Sequence, residues 1–202
     1  IDPVRFIGNY SSGKMGFALA EACAEAGAEV MLVAGPVSLK TNHSSIDRID
    51  VESAEEMYRA VLSEYDRSDI AIMCAAVADY APETVSDVKL KRTGEDRILR
   101  LRPNPDIAAE LGRRKRPGQC LVGFALETND EEMNARLKME KKNLDFIVLN
   151  SLRDAGAGFQ CDTNKVTVIG KQGDPVEIPC KPKIEVAADI VDIIGRYVSE
   201  DR

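Results

Sequence analysis

Apolar positions along this chain switch between helical and extended spacing many times. Over residues 12–27 they fall on one helical face, with Phe17, Leu19, Ala20, Cys23 and Ala24, and residues 28–34 follow as a short apolar strand. Residues 52–67 predict a second helix. It opens on Ser53-Ala-Glu-Glu56, a capping-box pattern in which serine and glutamate side chains satisfy the first free N–H groups. Residues 69–78 are nearly all apolar, as a strand covered on both faces should be. Beyond a polar stretch, residues 98–101 predict a short strand and 105–114 a helix. A buried strand over 119–126, a helix over 130–142 and a strand over 144–149 complete the alternation.

The last quarter differs. Residues 165–169 and 176–178 flank Lys171-Gln-Gly-Asp174 as the arms of a β-hairpin, and 182–198 is a closing amphipathic helix. Alternating β and α segments predict an α/β fold. The expected form is a doubly wound, mostly parallel, Rossmann-like sheet with helices on both faces and a C-terminal β-hairpin appendage. The 202 residues suit a single domain, 1–202, with no repeat and no low-complexity linker.

Charge narrows the partners. Thirty-four acids against 27 bases leave a net charge of −7, which argues against nucleic acid. No apolar run is long enough to cross a bilayer and no signal-peptide pattern is visible, so a cytoplasmic protein is expected. Cys23, Cys74, Cys120, Cys161 and Cys180 form no CxxC pair and are expected to be buried free thiols. With a single histidine, His43, neither a histidine triad nor a zinc site is expected.

Four segments could carry chemistry. Gly8-Asn-Tyr-Ser-Ser-Gly-Lys14 fits the G-x-x-x-x-G-K part of a phosphate loop, but Met15 stands where Ser or Thr would bind magnesium. Small residues entering a helix still offer backbone N–H groups and the positive end of a dipole to an anion. A serine-capped helix without a ligand is the plainer alternative. Cys74-Ala-Ala-Val-Ala-Asp79-Tyr80 ends the most apolar strand, where open α/β sheets bind ligands; it also reads as a strand packed under a helix. Lys89, Lys91, Arg92, Arg97, Arg100 and Arg102 crowd fourteen residues that hold two acids. They suit either a loop closing over a triphosphate or a solvated face. Lys138 and Lys142 share one helix face, for phosphate or for solvent.

Together these segments resemble one family. Asp2-Pro-Val-Arg-Phe-Ile-Gly-Asn-Tyr-Ser-Ser-Gly-Lys-Met-Gly16 is similar to the opening signature of bacterial phosphopantothenoylcysteine synthetases. Ala75-Ala-Val-Ala-Asp-Tyr80, Val88-Lys-Leu-Lys91, Asn104-Pro-Asp106, Gly123-Phe-Ala125, Glu127-Thr128, Lys142-Asn-Leu-Asp145, Gly158-Phe159 and Asn164 follow in the family's order. The resemblance implies a homodimeric, CTP-dependent ligase of coenzyme A biosynthesis, often fused to a decarboxylase. It would join 4'-phosphopantothenate to L-cysteine through an acyl-cytidylate, with Mg2+ arriving on the triphosphate and no metal cage of protein ligands.

Carried over by position, the resemblance makes Lys89 the flap lysine that stabilises charge on the α-phosphate. Asn9, near Arg5 and Ala76, holds the acyl-cytidylate, with Ser11, Ser12 and Gly13 on the substrate side. Ala75, Asp79, Arg102, Pro103, Asn104, Pro105, Phe124, Lys138 and Lys142 match positions that contact CTP. Family members normally carry an apolar strand and a small-residue turn ahead of Asp2, and this sequence does not contain them. A nicotinamide-dependent oxidoreductase would need G-x-G-x-x-G after a strand and an acid about twenty residues on, whereas the first glycine turn reads Ser-Ser-Gly-Lys-Met-Gly. A non-catalytic nucleotide-binding module is the rival from outside enzymology, and the joint presence of Asn9 and Lys89 argues against it.

Overall fold

The computed structural model describes residues 1–127, 130–151 and 161–200. Thr128, Gly158 and Phe159, three of the residues that carry the resemblance, lie outside the described residues. The chain runs α1 (Lys14–Glu25), β1 (Val30–Ala34), β2 (Ile46–Asp50), α2 (Ala54–Tyr65), β3 (Ile70–Met73), β4 (Tyr80–Pro82) and β5 (Leu101–Pro103). It continues through α3 (Ile107–Arg114), β6 (Cys120–Glu127), α4 (Glu131–Lys141), β7 (Phe146–Ser151), β8 (Thr163–Gly170), β9 (Val176–Pro182) and α5 (Lys183–Glu200).

The main sheet has the order β3-β6-β7-β8-β9; β3, β6 and β7 are parallel, and β8 and β9 add antiparallel. The expected hairpin is therefore β8–β9, and it continues the main sheet by pairing β8 with β7. β1 and β2 form a separate parallel pair, and β4 and β5 a short antiparallel ribbon. Among the described residues no strand bridges β1 and β3.

Period-two alternation divides the core. Cys120 and Val122 of β6, Phe146 and Val148 of β7, and Val166 and Val168 of β8 face Leu19 of α1 and Val186, Ile190 and Ile194 of α5. Leu121, Ala125, Ile147, Leu149 and Ile169 face the other way, onto Met57 and Tyr65 of α2, Ile107 and Leu111 of α3, and Ala135 and Met139 of α4. Leu121, Val122, Ile147 and Val148 expose nothing, so the unbroken apolar runs of β6 and β7 belong to strands covered on both faces.

Local chemistry sets several ends. Glu56 N–H donates to Ser53 Oγ at 3.1 Å, and the Glu56 carboxylate accepts from Glu52 N–H at 2.7 Å, so the predicted capping box forms one residue wider than drawn. Gly112 lets α3 approach the end of α4, since a Cβ there would lie 1.9 Å from the Lys142 carbonyl oxygen.

Three expectations need correction. The strand predicted over 69–78 stops at Met73 and is half-covered, because β3 is the edge of its sheet; Ile70 is 38% exposed. Residues 74–77 form a tight loop instead, with Cys74 N–H on the Ile72 carbonyl and Val77 N–H on the Ala75 carbonyl. The strand expected over 98–101 starts at Leu101 and pairs with Tyr80–Pro82. The five cysteines are free, but Cys161 and Cys180 are exposed and only Cys120 is buried. Cys180 sits on β9, the opposite edge strand of the sheet.

Candidate active site

The site forms where β3 ends and α1 begins. Gly13 takes φ +77°, a left-handed conformation that favours glycine, and caps α1 without a side-chain hydrogen bond. The serine-capped alternative is therefore not what forms. Ahead of it Asn9 bridges two strands of backbone. Its Nδ2 donates to the Ala76 carbonyl, and its Oδ1 accepts from Ser11 N–H at 2.9 Å. Ser11 Oγ in turn accepts from Gly13 N–H at 3.4 Å. The turn that carries Ser11, Ser12 and Gly13 is thus fixed against the small-residue loop that carries Ala75 and Ala76.

Met15 packs with Cys74 and Phe124 against the core under α1, and Asn164 Nδ2 lies 3.9 Å from its sulfur. A core side chain stands where a phosphate loop would hold its magnesium ligand. Phe124 follows Gly123, the partner of Met73, so it sits level with the first residue beyond β3. Burial pushes the neighbouring Cys74 thiol up to about 12, which leaves it protonated at neutral pH. Lys14 reaches Asp162 at 2.5 Å, and the lysine holds that carboxyl below its usual range.

The residues expected to contact the nucleotide are stitched to the same loop. Asn104 donates from its backbone to the Asp79 carbonyl and from Nδ2 to the Ala78 carbonyl, both at 2.8 Å, so the Arg102–Pro105 turn lies beside Ala75 and Asp79. Asp106 caps α3 by accepting from Ala109 N–H at 3.1 Å. Lys142, at the end of α4, extends along α3 to place its ammonium 2.9 Å from Asp106. Burial pushes the Asp106 carboxyl up, but Lys142 and the Ala109 N–H outweigh it and hold the group below its ordinary value. Lys138 lies one turn earlier on the same helix.

Lys89 is exposed on the loop between β4 and β5, with Lys91, Arg92, Arg97 and Arg100 equally in solvent. The predicted basic cluster is therefore a solvated loop in this state, tethered by its neighbours. Arg5 is held by the buried Asp2, whose carboxylate accepts from Arg5 Nε at 3.0 Å and from its NH2 group. The same arginine donates to the Leu90 carbonyl at 2.9 Å.

The chain matches the profile of the DNA/pantothenate metabolism flavoprotein C-terminal domain over residues 1–197. It belongs to that family. In sequence it is 50% identical over 195 residues to the coenzyme A biosynthesis bifunctional protein CoaBC of Bacillus subtilis (strain 168), covering 96% of this chain and 48% of that protein. It is 56% identical over 191 residues to a cysteine/cysteine sulfinic acid decarboxylase of an unknown prokaryotic organism, covering 95% of this chain and 53% of that one. It thus spans about half the length of the curated relatives it matches. The solved C-terminal domain of a coenzyme A biosynthesis bifunctional protein CoaBC superposes with a TM-score of 0.83 at 40% identity, covering 99% of this chain and 90% of that one. The family's doubly wound α/β fold is thereby established for this chain.

Two residues bonded to the predicted site residues escaped the motif reading. Asp2 was legible as the start of a turn, since Asp followed by Pro favours one, but its grip on residue 90 was not. Asp106 stood inside a recognised motif without a role, and Lys142 supplies one. A groove between α1 and α5, lined by Ala22, His43, Ile184, Val191 and Arg196, contains none of the predicted site residues. His43 there lies 3.9 Å from Glu25 and accepts from Ser45 N–H, a turn-fixing position. Among the described residues no helix is long and apolar enough to cross a membrane.

Proposed function

We propose that residues 1–202 form one phosphopantothenoylcysteine synthetase domain that joins 4'-phosphopantothenate to L-cysteine at the expense of CTP. The observation that carries this reading is the junction of Asn9 with the Ala76 carbonyl, made by the same amino-terminal arm whose Arg5 reaches the peptide beside Lys89. One short segment thereby joins a substrate-side amide to a nucleotide-side lysine. The bifunctional name of the Bacillus subtilis relative supports a role in coenzyme A synthesis.

In the first step a carboxylate oxygen of 4'-phosphopantothenate attacks the α-phosphorus of CTP. The bond to the bridging oxygen breaks, and pyrophosphate leaves with the electron pair. Lys89 offsets the charge that grows on the α-phosphate. Lys138 and Lys142 take the departing phosphates, with Lys142 exchanging Asp106 for them. Ala75, Asp79, the Arg102–Pro105 turn (Arg102, Pro103, Asn104 and Pro105) and Phe124 line the nucleotide. In the second step the cysteine amine attacks the acyl carbon, the acyl–oxygen bond breaks, CMP leaves and the amine proton passes to solvent. Asn9, Arg5, Ala76, Ser11, Ser12 and Gly13 hold the acyl-cytidylate in the orientation that attack requires.

Magnesium accompanies the triphosphate and neutralises part of its charge. Among the described residues no three His, Cys, Asp or Glu side chains converge as a cage for it. Phe6 and Tyr10 (each 83% exposed) and Ile98 (90%) are large apolar side chains left open, and a homodimer that covered them would fit this reading. A cytoplasmic setting and a decarboxylase partner, fused or associated, fit the same reading. The test is pyrophosphate release with 4'-phosphopantothenate and magnesium, comparing CTP with ATP and adding cysteine second. Release that needs both CTP and the pantothenate, followed by cysteine-dependent CMP, is the expected result. A folded chain that binds CTP but releases no pyrophosphate would leave a binding module.

A further inference from the structure

The loop between β4 and β5 carries the lysine assigned to the first step, yet it is nearly all exposed from Asp87 to Arg100. A lysine on such a loop has many side-chain rotamers open to it, so its position depends on what holds the backbone beneath it. Among the described residues, the hydrogen bonds that tie residues 87–99 to segments beyond this loop fall on one residue, Leu90; Val88 is also bonded locally, to the Ser86 hydroxyl. The Leu90 N–H donates to Asp2 Oδ2 at 3.1 Å, and its carbonyl accepts from the Arg5 guanidinium at 2.9 Å. Both polar groups of the residue next to Lys89 are therefore gripped by a single ion pair from the other end of the chain.

That pair is itself built to stay put. Asp2 Oδ1 accepts from Val4 N–H and Arg5 N–H, each at 2.9 Å, and Oδ2 takes the Arg5 guanidinium as well as the Leu90 N–H. The Asp2 side chain is wholly buried by these partners. The Arg5 guanidinium holds its carboxyl well below the usual carboxylate range against the opposing effect of burial. Ser86 N–H on the Ile1 carbonyl, at 3.1 Å, adds a second tie four residues upstream of Leu90.

We propose that Asp2 is a positioning residue for Lys89: with Arg5 it clamps the Leu90 peptide and so sets where the flap lysine stands during cytidylate formation. The inference rests on the synthetase reading given above. Asp2 touches no substrate in this scheme. It acts through Arg5 and the Leu90 backbone, and its carboxylate is required because one group must accept from a guanidinium and three backbone N–H groups together.

The experiment compares the full chain with Asp2→Asn, Lys89→Gln and the double variant. An amide in place of the carboxylate loses the charge and one acceptor while keeping the size. Single-turnover acyl-cytidylate formation should slow by about ten- to a hundredfold in Asp2→Asn, the scale of a displaced catalytic group. Cysteine attack on preformed intermediate should slow less than cytidylate formation, since of the groups that hold the acyl-cytidylate only Arg5 is released by the change. In the Lys89→Gln background the Asp2 change should add almost nothing, because the group it positions is gone. Trypsin gives a readout that needs no activity: cleavage after Lys89, Lys91 and Arg92 should be faster in Asp2→Asn at an unchanged unfolding temperature. Equal slowing in both backgrounds, or equal cleavage of wild type and variant, would overturn the proposal. If Asp2→Asn does not fold, Arg5→Lys, which keeps the charge but cannot chelate both Asp2 and the Leu90 carbonyl, is put through the same two assays. If wild type itself forms no cytidylate, the synthetase reading fails, and the trypsin comparison still decides whether Asp2 holds the loop.

Discussion

The two ends of the central sheet are built on opposite plans. At the amino ends of β6 and β7 the buried Asp145 gathers every nearby donor: Leu121 N–H at 2.8 Å, Lys115 at 2.8 and 2.9 Å, and Lys171 at 2.9 Å. Lys115 and Lys171 also bond the carbonyl and side chain of Asn143, so α3, α4, β7 and the β8–β9 turn are tied to one carboxylate. At the carboxyl end, the buried Asp2 apart, the charged side chains named above lie in solvent or in partly exposed pairs, and it is backbone that is held: Ala76 by Asn9, Ala78 and Asp79 by Asn104, Leu90 by Asp2 and Arg5. One end satisfies its charges internally and stabilises the fold. The other positions backbone and leaves charges available to a ligand.

If that division is right, substitutions at the two ends should separate stability from activity. Asp145→Ala should have the largest effect. It removes one partner of a buried cluster and leaves two ammonium groups facing each other, which costs about 3–5 kcal/mol and should show as a fall in the urea midpoint. Residual folded protein should keep its rate. Lys89→Gln should do the reverse, with an unchanged midpoint and cytidylate formation slowed by about a hundred- to a thousandfold. A loss of stability in Lys89→Gln, or of specific activity in Asp145→Ala, would erase the distinction between the ends.

Acid should act on the Asp145 end as well as on Asp2, whose carboxyl Arg5 also holds low. Burial pushes the Asp145 carboxyl up, but Lys115, the Leu121 N–H and Lys171 together bring it below its ordinary value. A carboxyl lowered on folding stabilises above the unfolded value of about 4, and that contribution is lost as pH falls from there through the folded value. Urea midpoints of wild type should therefore drop below about pH 4, and the drop should be shallower in Asp145→Asn, which has no carboxyl to protonate. Parallel curves would show that other carboxylates carry the acid sensitivity.

The secondary-structure elements were more legible in sequence than the contacts between them. The apolar runs of β6 and β7, the Ser53–Glu56 cap and the helical face of α1 are local signals, and each formed within a few residues of its predicted place. β2 went unseen because Ile46 and Ile49 are three apart, a spacing that alternation does not select. The early end of β3 at Met73 follows from which strand lies beside it, and the gap between β1 and β3 is a long-range fact that no window of sequence contains. The same holds at the open end. Motif matching named Asn9 with Ala76 nearby, Lys89 and Lys142, but the hold of Asp2 and Arg5 on Leu90 and the pairing of Lys142 with Asp106 became visible only in three dimensions. Asp2 and Leu90 are 88 residues apart.

Lys142 tests the boundary between the two plans, because it belongs to both. Its carbonyl lies against Gly112 near the Asn143–Asp145 cluster, while its ammonium pairs with Asp106 at the α3 cap, just after the Arg102–Pro105 turn. The Asp106 side chain is 49% exposed, so the pair should contribute about 0–1 kcal/mol once solvent screens it. Lys142→Gln should accordingly leave the urea midpoint almost unmoved and keep the Asp106 cap on Ala109. If the ammonium leaves Asp106 for the triphosphate, the KM for CTP should rise by about three- to tenfold with little change in the rate of cysteine attack. If instead the midpoint falls as it does for Asp145→Ala while KM holds, Lys142 belongs to the closed end, and the phosphates must be held by other groups.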